Sequence, residues 1–202
     1  DRAFAGADTL ATSYALATAI QHACPDVDLI IGGRQAIDGD TAQVGPQVAE
    51  KLGLPQITYA EEVVEVKADT IVVRRRLERG VERVESPMPV VITVNASAAA
   101  VRPQNARLVM KYKHAMIPSE KAAKEGTLSA ELFEQRDYLK IVELTAADIV
   151  CDEEQLGLNG SPTKVKKIEN VVFQAKEAKR LTSSDEDINE LMVELIAGHT
   201  LG

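Results

Sequence analysis

Apolar positions first fall at helical spacing between Thr9 and about Ala23, where Leu10, Tyr14, Ala17 and Ile20 recur on one side. Asp8 or Thr9 can cap this helix, and Pro25 stands just beyond its end as a stop. Val27-Asp28-Leu29-Ile30-Ile31 is nearly all apolar, which predicts a parallel strand covered on both faces. A helix follows over Thr41–Leu52, with Val44, Val48 and Leu52 on one face and Gly53 as its terminator.

The pattern then shortens to that of strands. Ile57–Val66, Thr70–Glu78 and Val81–Ser86 are rich in β-branched residues. Ala68-Asp69 and Arg79-Gly80 separate them, so they predict an antiparallel meander. Glu61, Glu65, Arg74, Arg76 and Glu82 predict one wet face for it. Pro87-Met88-Pro89 ends the meander, and Val90–Val94 reads as another buried strand.

Beyond Asn95 the periodicity weakens. Asn95–Arg107 is a loop, Leu108–Ala115 a short helix and Glu120–Arg136 a partly helical polar stretch. Tyr138–Leu144 is a strand or an extended arm, Thr145–Pro162 is irregular, and Val165–Phe173 is extended. Asp185–Ala197 closes the chain as a helix with Ile188, Leu191, Met192, Leu195 and Ile196 in a stripe. Together these elements predict an α/β fold. Residues 1–95 form its main domain, including the meander over 57–86, and 96–202 follow as a second segment. Such a tail can hug its own surface or lie on a partner.

Composition narrows the function. The chain has 202 residues, 45% of them hydrophobic, and a net charge of −8. An acidic balance argues against non-specific nucleic-acid binding. The local basic stretches, Arg74-Arg75-Arg76 and Lys164 to Lys167, read as solvated faces or partner contacts. Without Trp there is little to stack bases on. No apolar run reaches the roughly 20 residues a bilayer demands, so no membrane insertion is expected. Cys24 and Cys151 form no CxxC and point to a reducing cytoplasm. His22, His114 and His199 are scattered and match no metal-ligand spacing. No nucleophile elbow is present. The chain opens on Asp1 with helical sequence close behind, and a further N-terminal piece is expected.

One stretch suggests chemistry. Between the first predicted strand and the second helix, the chain reads Gly32-Gly33-Arg34-Gln35-Ala36-Ile37-Asp38-Gly39-Asp40-Thr41-Ala42-Gln43-Val44-Gly45-Pro46-Gln47. Gly32, Gly33 and Gly39 can take backbone angles other residues avoid. Free N–H groups and the dipole at a helix start favour an anion. Thr41 and Gln43 can add side-chain bonds to a phosphate. The alternative is an ordinary capped helix start, with Asp38 or Asp40 as the cap. The two carboxylates repel phosphate and fit better as caps, as loop-shaping acceptors or on a ribose hydroxyl. The remaining ligands of a calcium loop are missing, and no Gly-x-x-x-x-Gly-Lys motif is present.

The run Gly33 to Pro46 closely resembles the nucleotide loop of the electron-transfer flavoprotein β subunit. Further matches follow in order. Pro89 to Asn95 resembles the family's strand into its partner-recognition segment. Arg102 and Val109-Met110-Lys111-Tyr112-Lys113 resemble that segment's end. Gly157-Leu158-Asn159-Gly160-Ser161-Pro162-Thr163-Lys164-Val165 resembles the C-terminal arm of members from anaerobes. The resemblance implies a Rossmann-like parallel sheet of the adenine-nucleotide-binding type. It also implies cofactor contacts from Gly33, Arg34, Gln35, Ala36, Ile37, Asp38, Gly39, Asp40, Thr41, Ala42, Gln43 and Val44. The cofactor would be FAD, or AMP in the ordinary branch, and Gly-Asp-Thr-Ala-Gln-Val-Gly-Pro looks more like the electron-bifurcating branch. The implied partners are an α subunit, on which 96–202 would pack, and a dehydrogenase of the acyl-CoA or 2-hydroxy-acid type. Such a chain is an electron carrier and oxidises NADH only within a bifurcating complex.

Two departures qualify the likeness. The family begins with a strand and a nucleotide-contacting loop upstream of Asp1. Val101-Arg102-Pro103 stands where the family has Pro-Arg-Tyr, and Ala106 stands in place of a docking leucine. Two other roles fit the residues: a stand-alone adenine-nucleotide-binding regulatory module, and an interaction scaffold with a purely structural loop.

Overall fold

The computed structural model describes residues 1–166 and 178–201. Two compact units divide the chain, Asp1–Lys164 and Val165–Gly202. In the first, five strands form one mixed sheet: β1 (Leu29–Gly33), β2 (Gln56–Val66), β3 (Thr70–Leu77), β4 (Gly80–Pro87) and β5 (Val90–Val94), in the order β1-β5-β2-β3-β4. β5 runs parallel to both β1 and β2. β2, β3 and β4 are antiparallel neighbours and form the expected meander. The result is the Rossmann-like α/β fold: parallel strands connected through helices, with an antiparallel extension.

Helix α1 spans Thr9–Ala23, as its periodicity predicts, and the Asp8 carboxylate caps it by accepting from Leu10 and Ala11 N–H. Its buried face differs from the large apolar residues of the pattern. Ala11, Ser13 and Ala17 are buried, while Leu10 is 40% exposed. Small side chains let α1 lie close to α2 (Val44–Leu52), and Lys51 reaches over the Tyr14 ring. Gly53 ends α2 in a left-handed conformation, as expected of a terminator.

β1 begins two residues later than predicted and runs into the glycines. It is not covered on both faces: Ile31 is 63% exposed. The reason is position, since β1 pairs only with β5 and is an edge strand among the described residues. The apolar core lies instead around Ile57, Ala60, Ile71, Val73, Val90 and Ile92, with Leu29, Val84 and Met88 packed against it.

The meander also departs from simple alternation. Ile71, Val72 and Val73 of β3 are consecutive and all buried. Glu61, expected on the wet face, is 2% exposed at its side chain. Arg76 Nε donates to it at 2.5 Å and Arg74 Nε lies at 3.7 Å, which is why a carboxylate can be buried there. Ser97 Oγ also donates to Glu61, so the pair holds the turn after β5. Irregular register accompanies this in β2, where Tyr59 has φ 58° and donates its N–H to Thr93 Oγ1.

Beyond β5 lie α3 (Ala106–Tyr112), α4 (Pro118–Ala123) and α5 (Leu128–Gln135). α3 starts two residues earlier than predicted because Asn105 caps it through Leu108 N–H. The stretch expected as a strand or arm at 138–144 makes one parallel bridge, Lys140 to Met116, around buried Leu139. Residues 144–163 then fold as an irregular strap on the chain's own start. Ala146 N–H donates to Asp1, Asp152 N–H to Tyr14 Oη, and Leu156 and Ser161 are buried. The expectation for 165–173 lies almost wholly outside the described residues.

In the second unit, α6 (Asp185–Ala197) has the predicted bounds. Ser184 caps it, Asp187 accepts from Thr182, and Lys179 pairs with Glu190.

Candidate functional site

β1 delivers the chain to the carboxyl end of the parallel strands, the side on which open α/β sheets bind ligands. From Arg34 to Gln43 it is a surface loop with a turn at Ile37–Gly39. Asp40 N–H donates to Ala36 O at 3.1 Å. Among the described residues it is the one backbone donor from Arg34 to Gly45 with a protein partner. No other N–H along this stretch has a protein partner among the described residues.

The loop does not use its glycines as the pattern suggests. Gly32, Gly33 and Gly39 stay outside the left-handed region, whereas Asp40 (φ 51°) and Ala42 (φ 54°) occupy it. Aspartate tolerates that conformation through local side-chain bonding, and here the Asp40 carboxylate accepts from Gln35 Nε2. Thus Asp40 shapes the loop. Neither it nor Asp38 caps the helix.

Helix α2 starts at Val44, three residues later than expected. Its N-cap is Gln43, which makes no capping hydrogen bond. Gln43 points elsewhere, its Oε1 accepting from Thr9 Oγ1 at 3.2 Å. Pro46 lacks an N–H, so the open donors of the first turn are those of Val44 and Gly45. They are set close to the sheet: a Cβ on Gly45 would stand 2.5 Å from Thr93 Cγ2 of β5.

The start of α1 lies beside this point but is already satisfied. Burial works against the Asp8 charge, yet hydrogen bonds from Thr163, Ala11 and Leu10 outweigh it and hold the carboxyl below its ordinary range. Of the two helix starts joined by Thr9 and Gln43, only that of α2 is free for an anion.

Other surroundings offer less. Among the described residues no three His, Cys, Asp or Glu side chains converge on a metal position. An apolar cleft of about 340 Å³ lies between Phe4, Ala11, Leu16, Leu144 and Ile149, away from the loop. Its walls are mostly apolar, with Thr12 and Thr145 among them.

The structure therefore gathers Gly33 to Val44 into one exposed loop at a helix start. It adds Thr9 and Thr93, which the sequence pattern did not connect with the loop. No local signal links Thr9 to Gln43 or Gly45 to Thr93, because each contact crosses more than thirty positions.

A Rossmann-like sheet with an uncapped helix start at its carboxyl edge makes this an open α/β protein whose loop lies where such folds place their ligands. The electron transfer flavoprotein domain matches residues 1–129, and this chain belongs to that family. The electron transfer flavoprotein subunit beta of Clostridium acetobutylicum is 44% identical over 167 residues, covering 83% of this chain and 54% of the relative. That of Megasphaera elsdenii is 42% identical over 173 residues, covering 83% and 55%. Protein FixA of Azotobacter vinelandii is 38% identical over 195 residues, covering 95% and 61%. The chain thus spans a little over half the length of the curated relatives it matches. No helix among the described residues is long and apolar enough to cross a membrane.

Proposed function

We propose that this chain is an electron-transfer flavoprotein β subunit that binds FAD, or alternatively AMP, at Gly33–Val44. With an α subunit in the cytoplasm, it passes electrons between NADH or a dehydrogenase and other redox partners, and flavin-based bifurcation is the finer expectation. The observation that carries this reading is the uncapped start of α2. Among the described residues, nothing accepts from Val44 and Gly45 N–H there, and no carboxylate takes the place of a ligand phosphate. FAD, when bound, supplies the electron-carrying ring. This chain's residues bind and orient it: the loop donors meet the phosphates, and Thr9 fixes Gln43 beside them.

Family membership and likeness to relatives named subunit beta support the role. The exposed apolar residues Leu108, Val109 and Met110 of α3 and Ile188, Met192 and Ile196 of α6 support protein partners.

Two measurements test the reading. First, the natural-length protein is purified with its α subunit, and nucleotides released by acid are identified chromatographically. Two FAD per heterodimer are expected. AMP with one FAD would remove bifurcation, nucleotide held by the isolated chain alone would favour the regulatory module, and none would remove the role. Second, Gln43→Glu places a carboxylate at the helix start. It should stabilise the fold by about 0.3–1 kcal/mol while weakening nucleotide binding at least tenfold. A purely structural loop would give the stabilisation without the loss.

A further inference from the structure

We infer that Asp8 is a positioning residue for the nucleotide site, acting as the clasp through which the strap 157–163 fixes the start of α2. The inference rests on the nucleotide-binding reading above and deepens it.

Asp8 divides its carboxylate between two tasks. Oδ1 accepts from Leu10 N–H at 3.0 Å and Ala11 N–H at 3.1 Å, which caps α1. Oδ2 faces the strap, accepting from Thr163 N–H at 3.1 Å and Thr163 Oγ1 at 2.7 Å. A third bond closes the clasp: Asp8 N–H donates to Ser161 Oγ at 2.8 Å, and Ser161 Oγ donates to Gly157 O at 2.6 Å. Ser161 is 5% exposed, so this is an interior contact.

The strap follows a path that tolerates little change. Gly157 has φ 52°, and a Cβ there would stand 2.3 Å from Ala3 O. Its backbone therefore lies directly against the segment leading into Asp8. The next residue after Asp8 is the link to the site. Thr9 Oγ1 donates to Gln43 Oε1 and accepts from Gln47 Nε2 at 3.5 Å. Gln43 is the N-cap of α2 and Gln47 lies one turn on. Strap, Asp8, Thr9 and the α2 start are thus connected by hydrogen bonds on either side of the Asp8–Thr9 peptide link, and none of the strap residues need touch the ligand.

Asp8→Asn separates the two tasks. An asparagine keeps one oxygen and remains a good helix cap, but its amide cannot accept from Thr163 N–H. The test uses the natural-length protein with its α subunit. It measures the affinities for FAD and AMP, together with the rate of tryptic cleavage after Lys164. Asp8→Asn and Thr163→Val should each speed cleavage and weaken the retained nucleotide by about tenfold, the loss of bonds to a charged group. Thr163→Ser should behave as wild type. The double variant Asp8→Asn/Thr163→Val should be no weaker than Asp8→Asn, because both remove the same contact. Faster cleavage with affinity inside a twofold margin would make Asp8 a structural clasp only and overturn the proposal; so would unchanged cleavage. Failure of the underlying reading looks different: wild type would bind neither FAD nor AMP, or Gln43→Glu would leave binding intact.

Discussion

At residue scale, Gly45 carries the sharpest steric demand near the site. A glycine inside a helix ordinarily costs about 0.5–1 kcal/mol relative to alanine, so Gly45→Ala ought to help. The Thr93 methyl opposes it, because the new Cβ would lie 2.5 Å from Cγ2. Overpacking of this kind costs about 1–3 kcal/mol, which outweighs the helical gain. Gly45→Ala should therefore lower the urea midpoint. Thr93→Ser removes the methyl and keeps the hydroxyl that accepts from Tyr59 N–H. In that background Gly45→Ala should become neutral or stabilising. Equal effects in both backgrounds would mean the methyl is not the obstacle. The loop's conformations illustrate how a residue pattern misleads at this scale. Three glycines advertise left-handed backbone, yet Asp40 and Ala42 supply it. Composition marks a loop as permissive without saying which position will bend.

At the scale of elements, regular periodicity was informative and irregular chain was not. Helices α1 and α6 and strand β5 keep the bounds their apolar patterns predict; neighbours bury the β5 residues, whereas α6 keeps its bounds with no residue buried. The strap over 144–163 has no period, and its register depends on single bonds such as Thr163 to Asp8, which link positions 155 apart. Glu61 was misplaced for a related reason. Alternation assigns it to water, while a register irregularity in β2 turns it onto Arg76. That pair makes a pH prediction. Hydrogen bonding from Arg76, then from Ser97, holds the Glu61 carboxyl below its ordinary value. A depressed folded-state pKa contributes stability above the unfolded value, about 4.3, and loses it as pH falls through the folded value. Wild type should exceed Glu61→Gln in urea midpoint at pH 7, and the gap should narrow below about pH 4. A gap independent of pH would assign the difference to packing instead.

At the scale of the whole molecule, the distribution of charge gives the last expectation. The chain carries a net charge of −8, yet it has no Asp or Glu between Glu85 and Glu120. Arg102, Arg107, Lys111 and Lys113 fall inside that interval. The same interval holds α3, none of whose residues is buried, with Leu108 51%, Val109 47% and Met110 64% exposed. Lys111 stands over the rings of Tyr112 and Tyr138, which brace the helix from the side of the following segment. A basic, apolar projection on an acidic protein suits a partner surface of opposite charge with an apolar recess. Charges at such a rim act mainly on encounter. Lys113→Glu should therefore slow electron transfer to the dehydrogenase through a higher KM, by about tenfold at low salt. The deficit should shrink as ionic strength rises beyond about 0.15 M, where charges farther apart than about 8 Å are screened. Nucleotide content should not change, because α3 is separate from the loop at Gly33–Val44. A variant that lost nucleotide, or whose KM stayed within twofold at every salt concentration, would place docking elsewhere on the chain.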